Sequence, residues 1–225
     1  MPKTAGLPLG EAIQFGWRTV RDYPVFVVGT GLVAIGVPWL IEWGGDVALG
    51  DGPPQFAIGL ISTVVSATLT LGLAKIYLCF RDGRKPLFEN LFDGLAQIHK
   101  YIGASIIVFF AVLMGLILLV VPGIVFLIRL WFLGFVIVDS KAGPLEAIQQ
   151  SWDISRGRTM DLLLLFISLV GLNLLGAICL GVGLLVTVPI SGLALAHIYR
   201  TLAPVAMAGG SSAIEIGGNL PRAGA

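Results

Sequence analysis

Six apolar stretches, at roughly 24–43, 55–80, 101–121, 122–139, 161–180 and 183–203, take up most of this chain. A helix needs about 20 mainly apolar residues to cross a bilayer, and only helices or closed barrels satisfy their backbone hydrogen bonds inside one. The stretches do not alternate with a period of two, so helices are selected over barrel strands. The 225 residues are 56% hydrophobic and 12% charged, which is more apolar surface than one soluble core buries. The sequence therefore predicts an all-α membrane protein with six transmembrane helices.

The borders follow from turn-forming residues. Residues 44–54 read as a turn-rich loop carrying Asp46 and Asp51, and 81–100 as a polar stretch. Spans three and four meet at Val121-Pro122-Gly123-Ile124, and spans five and six at Gly181-Val182-Gly183, where Pro and Gly break helices. Residues 1–10 lack the apolar core of a cleavable signal. Cys79 and Cys179 fall within spans without metal-ligand spacing and read as packed, reduced thiols. Apart from Arg129, every Lys and Arg falls on one side of this topology. The positive-inside rule then places both termini and the longer polar loops in the cytoplasm. The net charge of +1 hides that asymmetry, which speaks for membrane insertion and against nucleic-acid binding.

The chain also repeats itself. Residues 11–17 (Glu-Ala-Ile-Gln-Phe-Gly-Trp) and 146–152 (Glu-Ala-Ile-Gln-Gln-Ser-Trp) share five of seven residues, and Pro86-Leu87-Phe88-Glu89 echoes Pro8-Leu9-Gly10-Glu11. Leu73-Ala74-Lys75-Ile76-Tyr77 returns as Leu195-Ala196-His197-Ile198-Tyr199. We read three hairpin units, about 1–80, 81–140 and 141–203, each opened by a cytoplasmic interfacial amphipathic helix, followed by a flexible cytoplasmic tail over 204–225. The apolar spacing Leu9, Ile13, Trp17, Val20 matches Leu87, Leu91, Leu95, Ile98, and Leu145, Ile148, Trp152 follow suit. Pro8, Pro86 and Pro144 suit a first helical turn, and Glu11, Glu89 and Glu146 suit the positive end of its dipole. Trp17 and Trp152 are the expected interfacial anchors. Units of two spans face the same way, so the arrangement is pseudo-threefold about the membrane normal.

Candidate site residues are few. Arg129 is the one charge well inside a span, about 10 Å past Pro122, and insertion costs of around 2.5–3.5 kcal/mol mark such a residue for attention. Two readings stand side by side: snorkelling or carbonyl bonding near the outer headgroups, and binding of a lipid phosphate or anionic solute. Asn173 in span five is placed to bond across the bundle, with Arg129 as one partner. Ser62, Ser66 and Thr70 form a row beside Gly59, Thr63 and Ala67, which suits helix packing better than a polar conduit. Lys75 and His197 hold equivalent positions near the cytoplasmic face, with no carboxylate inside any span to partner them. No metal-ligand spacing, catalytic constellation or cofactor motif is present, so neither an enzyme nor a cofactor is expected.

Val121-Pro122-Gly123-Ile124 with Arg129, followed by Gly143-Pro144-Leu145-Glu146-Ala147-Ile148 and Ser151-Trp152, resembles bacterial integral-membrane proteins related to the membrane domain of glycerophosphoryl diester phosphodiesterase, and the YciC-like proteins. The likeness runs over about residues 84–203. It implies a six-span module of the bacterial inner membrane; the phosphodiesterase catalytic domain that some of those proteins carry is not expected, since residues 204–225 are few and mostly small. The resulting expectation is a non-catalytic module that binds membrane lipids, anionic ones among them, or a protein partner at its cytoplasmic face. The alternative is a small-solute or ion transporter, since three same-facing hairpins resemble mitochondrial carriers; their Pro-x-acidic-x-x-basic signature is missing here.

Overall fold

A computed structural model of the protein describes residues 7–49, 53–118, 120–178 and 183–218. The chain forms α1 (Leu9–Asp22), α2 (Pro24–Leu49), α3 (Pro53–Arg81), two 3-10 turns (Phe88–Leu91 and Asp93–Gln97), α4 (Ile98–Leu118), α5 (Val120–Arg129), α6 (Leu133–Ser140), α7 (Pro144–Ile154), α8 (Thr159–Ile178) and α9 (Leu184–Gly218). Among the described residues there is no strand, and five helices are long and apolar enough to cross a membrane. Large apolar side chains such as Leu40, Phe109, Phe110, Leu174 and Leu175 stand exposed on α2, α4 and α8. Such a surface requires lipid as its solvent. The protein is a helical membrane protein.

The buried centre is built by α3, α6 and α9. Leu71, Ile76, Phe132, Ile137, Leu193 and Tyr199 are all fully buried, and Tyr199 lies against Phe132 and Phe135 at ring separations of 6.1 and 5.7 Å. Lipid gives no hydrophobic drive between helices, so close approach depends on small residues. Three such approaches between successive helices are made at glycine. A Cβ on Gly45 would lie 2.5 Å from Ile58, one on Gly115 3.0 Å from Gly123, and one on Gly183 2.5 Å from Gly176. This packing changes two expected borders. The predicted loop over 44–54 is helical up to Leu49 and again from Pro53, because Gly45 lets α2 and α3 run together past the expected span end. Pro122 and Gly123 lie within the first turn of α5 and not in a joint, a position where proline is tolerated. Cys179 and Asp51 lie outside the described residues, while Cys79 is half-buried on α3. Helix α9 continues through Pro204, where the sequence suggests a tail, to Gly218.

The fourth predicted span, 122–139, is not one helix. It breaks after Arg129, and the Leu133 amide turns back to the Leu130 carbonyl at 3.1 Å. That leaves the Arg129 carbonyl without its partner four residues on. The hydroxyls of Ser151 and Ser155 on α7 donate to it at 2.9 and 3.0 Å. A break at this depth is stable only because a neighbouring element supplies the missing donors.

The three segments expected at the interface dock into the bundle. Helix α1 lies on α9, where Gly16 meets the Ile190 carbonyl at a Cβ distance of 2.7 Å. Helix α7 reaches the Arg129 carbonyl through Ser151. The second segment is a correction: it forms two 3-10 turns and no α-helix, and Gly94 meets the Thr68 carbonyl at a Cβ distance of 2.5 Å. The Asn90 side chain accepts from the Leu87 amide at 2.8 Å, closing the tight turn that an α-helical start would have opened. Trp17 is exposed, but Trp152 packs against Phe126 at 5.3 Å and is not a free surface anchor.

Candidate functional site

The end of α3 and the length of α1 enclose a groove of about 500 Å³. Its apolar floor is Phe15, Tyr23, Phe26 and Phe80, and the Tyr23 and Phe26 rings lie 5.5 and 6.0 Å from Phe80. Arg18, Arg84 and Lys85 stand at its rim, with Asp22 as the opposing charge. Helix α1 places Arg18 and Asp22 one turn apart on one face, and the Gly83 turn, with φ of 70°, swings Arg84 and Lys85 toward them. Arg18 donates to Gln14 at 3.2 Å, and Arg84 to Asp82 at 2.7 Å. The arrangement offers positive charge above an aromatic wall, which suits an anionic headgroup with an apolar tail.

Beside this groove lies an ionic clasp. Arg200 on α9 donates to both Asp82 oxygens, at 2.9 and 2.8 Å, and to Asp139 at 2.8 Å. The Tyr199 hydroxyl donates to Asp139 at 3.0 Å. One guanidinium thus joins the end of α3, the end of α6 and α9. The fork of Arg geometry makes such double pairing possible. Burial alone would lift the Asp82 carboxyl, but the hydrogen bonds from Arg84 and Arg200 outweigh it and hold the group below its ordinary 3.8.

Arg129 is held by protein groups. Its guanidinium donates to Thr159 at 3.2 Å and lies 4.3 Å from the Trp152 ring centre, while its Nε is buried without a partner. The side chain reaches toward the start of α8 and away from the α4–α5 end, so the expected lean toward outer headgroups is replaced by a cation–π stack. Asn173 bonds to Ser191 on α9 at 2.9 Å and not to Arg129, since α8 and α9 form a pair and bring those two side chains face to face.

Lys75 and His197 have different neighbours. Lys75 pairs with Asp93 of the second 3-10 turn, so a carboxylate does reach it from outside its span. His197 lies 5.3 Å from the Phe15 ring, and its Nδ1 is buried without a partner. The hydroxyl row on α3 is also not simply a packing face. Ser62, Ser66 and Thr70 line a lateral groove with Glu42 and Tyr101, and a Cβ on Gly59 would touch nothing within 4 Å.

Sequence reasoning used Arg18, Arg84, Lys85 and Arg200 only to set orientation, read Asp139 as a span end and did not single out Asp82. One signal was available: aligning Leu73–Tyr77 with Leu195–Tyr199 sets Arg200 opposite Leu78, one turn from Asp82. No family model matches the chain, and neither the curated proteins nor the solved structures searched contain a match to it.

Proposed function

We propose that the protein is a non-catalytic inner-membrane module that binds anionic phospholipid of the cytoplasmic leaflet in the groove between α1 and the end of α3. The observation that carries this reading is the basic rim of Arg18, Arg84 and Lys85 above the Phe26–Phe80 floor. Phosphate oxygens take the rim, and acyl chains continue along the aromatic wall into the bilayer. The transport alternative has less support, because the space between α3, α6 and α9 is filled by buried Phe132, Ile137, Leu193 and Tyr199. Native mass spectrometry from nanodiscs of mixed phosphatidylglycerol and phosphatidylcholine tests the reading. The intact chain retains phosphatidylglycerol preferentially, and the double variant R84A/K85A loses that preference on the order of tenfold, as removal of two cations from an anionic membrane surface requires. Equal retention of the two lipids by the wild type overturns the proposal.

The module is built, in the same proposal, from six crossings in three same-facing hairpins, with α5 and α6 together forming one broken crossing and both termini cytoplasmic. The support is a correspondence of contacts. Thr68, Arg129 and Ile190 are evenly spaced in the chain, and their carbonyls meet Gly94, Ser151 and Gly16, the equivalent small residues of the three opening segments. Likewise Lys75 meets Asp93 where its equivalent His197 meets Phe15, the equivalent of Asp93. Each segment docks on the second crossing of the preceding unit. The resemblance to the phosphodiesterase-related membrane family fits this arrangement. Single cysteines at Arg84 and Lys141 are expected to react with impermeant reagents only from the cytoplasmic side, and labelling of either from the opposite face rejects the topology.

A further inference from the structure

The lateral groove on α3, of about 300 Å³, has a chemistry opposite to that of the basic one. Its charged lining residue is Glu42, and no Lys or Arg lines it. Three of the hydroxyl protons around it, those of Ser62, Thr63 and Thr70, are already committed. Ser62 donates to Glu42 at 2.8 Å, with the Pro38 carbonyl at 3.3 Å, Thr63 donates to the Gly59 carbonyl at 2.8 Å, and Thr70 donates to the Ser66 carbonyl at 2.8 Å. What these groups still offer is acceptors: a carboxylate and hydroxyl lone pairs. A ligand that fits must bring hydrogen-bond donors and positive charge.

The surroundings indicate where that ligand comes from. Trp39 and Trp43 lie on α2 three residues before and one residue after Glu42, their rings stack at 6.3 Å, and both are exposed. Exposed tryptophans on a membrane helix settle at headgroup level, and their faces attract cations. Neighbouring Leu40, Leu60 and Ile61 are exposed too, so apolar surface suited to acyl chains adjoins the groove. We infer that this groove binds the primary ammonium headgroup of a phospholipid such as phosphatidylethanolamine, with Glu42 as counter-ion and the threonine oxygens as further acceptors. A primary ammonium carries three N–H donors for these acceptors, whereas a quaternary choline carries none.

The inference is independent of the anionic-lipid groove, and the test separates the two. Full-length protein is taken from nanodiscs holding equal phosphatidylethanolamine and phosphatidylcholine, and retained lipid is read by native mass spectrometry. The expected result is retention of the ethanolamine lipid about fivefold over the choline lipid, reduced to the bulk ratio in Glu42→Gln, which keeps the side-chain shape and removes the charge. The R84A/K85A variant is expected to keep the ethanolamine preference. Equal retention by the wild type overturns the inference, as does an unchanged preference in Glu42→Gln. Displacement of the lipid by millimolar free ethanolamine overturns the lipid as the source of the ammonium group.

Discussion

Gly72→Ala is expected to be among the most damaging single substitutions in this protein. An added Cβ would sit 2.0 Å from the Leu91 carbonyl oxygen and 2.5 Å from that residue's carbonyl carbon and Cα. Ordinary contact needs well over 3 Å, so backbone must move by more than 1 Å. The 3-10 segment that carries Leu91 has little room to retreat. Leu91 is fully buried, Asp93 is tied to Lys75, and Gly94 lies against the Thr68 carbonyl on the far side of the same contact. Overpacking typically costs 1–3 kcal/mol, and a rigid backbone neighbour places this site at about 3 kcal/mol or above. Gly59→Ala on the same helix is the control. Nothing lies within 4 Å of its added Cβ, and alanine there gains up to about 1 kcal/mol of helix propensity. Thermal unfolding in detergent compares the two, and a Gly72→Ala midpoint equal to wild type would falsify the close docking of the 3-10 segment.

The contrast between those glycines also marks how far the sequence could be read. Helical class was legible because apolar runs of membrane length admit few alternatives, whereas the docking faces were not: the spacing of Leu9, Ile13 and Trp17 reads as a membrane face, and the buried positions are Ala12, Gly16, Ala147 and Ser151. The break after Arg129 was not legible either. No proline or glycine stands at Leu130, Trp131 or Phe132, and the cause lies in Ser151 and Ser155, a turn apart on another element and both aimed at one carbonyl. The 3-10 segment was missed for a similar reason, since its apolar spacing copies α1 while the Asn90 side chain, bonded to the Leu87 amide, selects a narrower turn. Site residues were hardest to see. Arg18 is followed by Arg84 and Lys85 only after a whole hairpin, and Glu42 meets Ser62 across two helices. Charges that look like orientation markers along the chain become partners only once α1 lies on α9 and α2 on α3.

Arg200→Met is expected to loosen the bundle end and to flatten its response to acid. In the wild type Arg200, Asp82 and Asp139 keep side-chain exposures of 24%, 21% and 23%. Breaking a fully buried pair costs 3–5 kcal/mol and an exposed one near 0–1, so these partly buried groups place the loss at about 2–3 kcal/mol. The pH dependence separates this loss from simple loss of packing. Asp82 titrates below its ordinary 3.8 in the folded protein because Arg84 and Arg200 outweigh the effect of burial. Its contribution is therefore complete above 3.8 and disappears as the pH falls through the lower folded value, so acid weakens the wild type. Without Arg200 the Asp82 carboxylate keeps only the Arg84 hydrogen bond, so the pull that holds it below its ordinary value weakens. The variant should therefore lose less stability than the wild type as the pH falls below about 4. Arg200→Lys restores one cation without the double fork and is expected to fall between them. Unfolding midpoints at several pH values decide the matter: parallel wild-type and Arg200→Met profiles would mean that the clasp joining α3, α6 and α9 contributes no electrostatic stability.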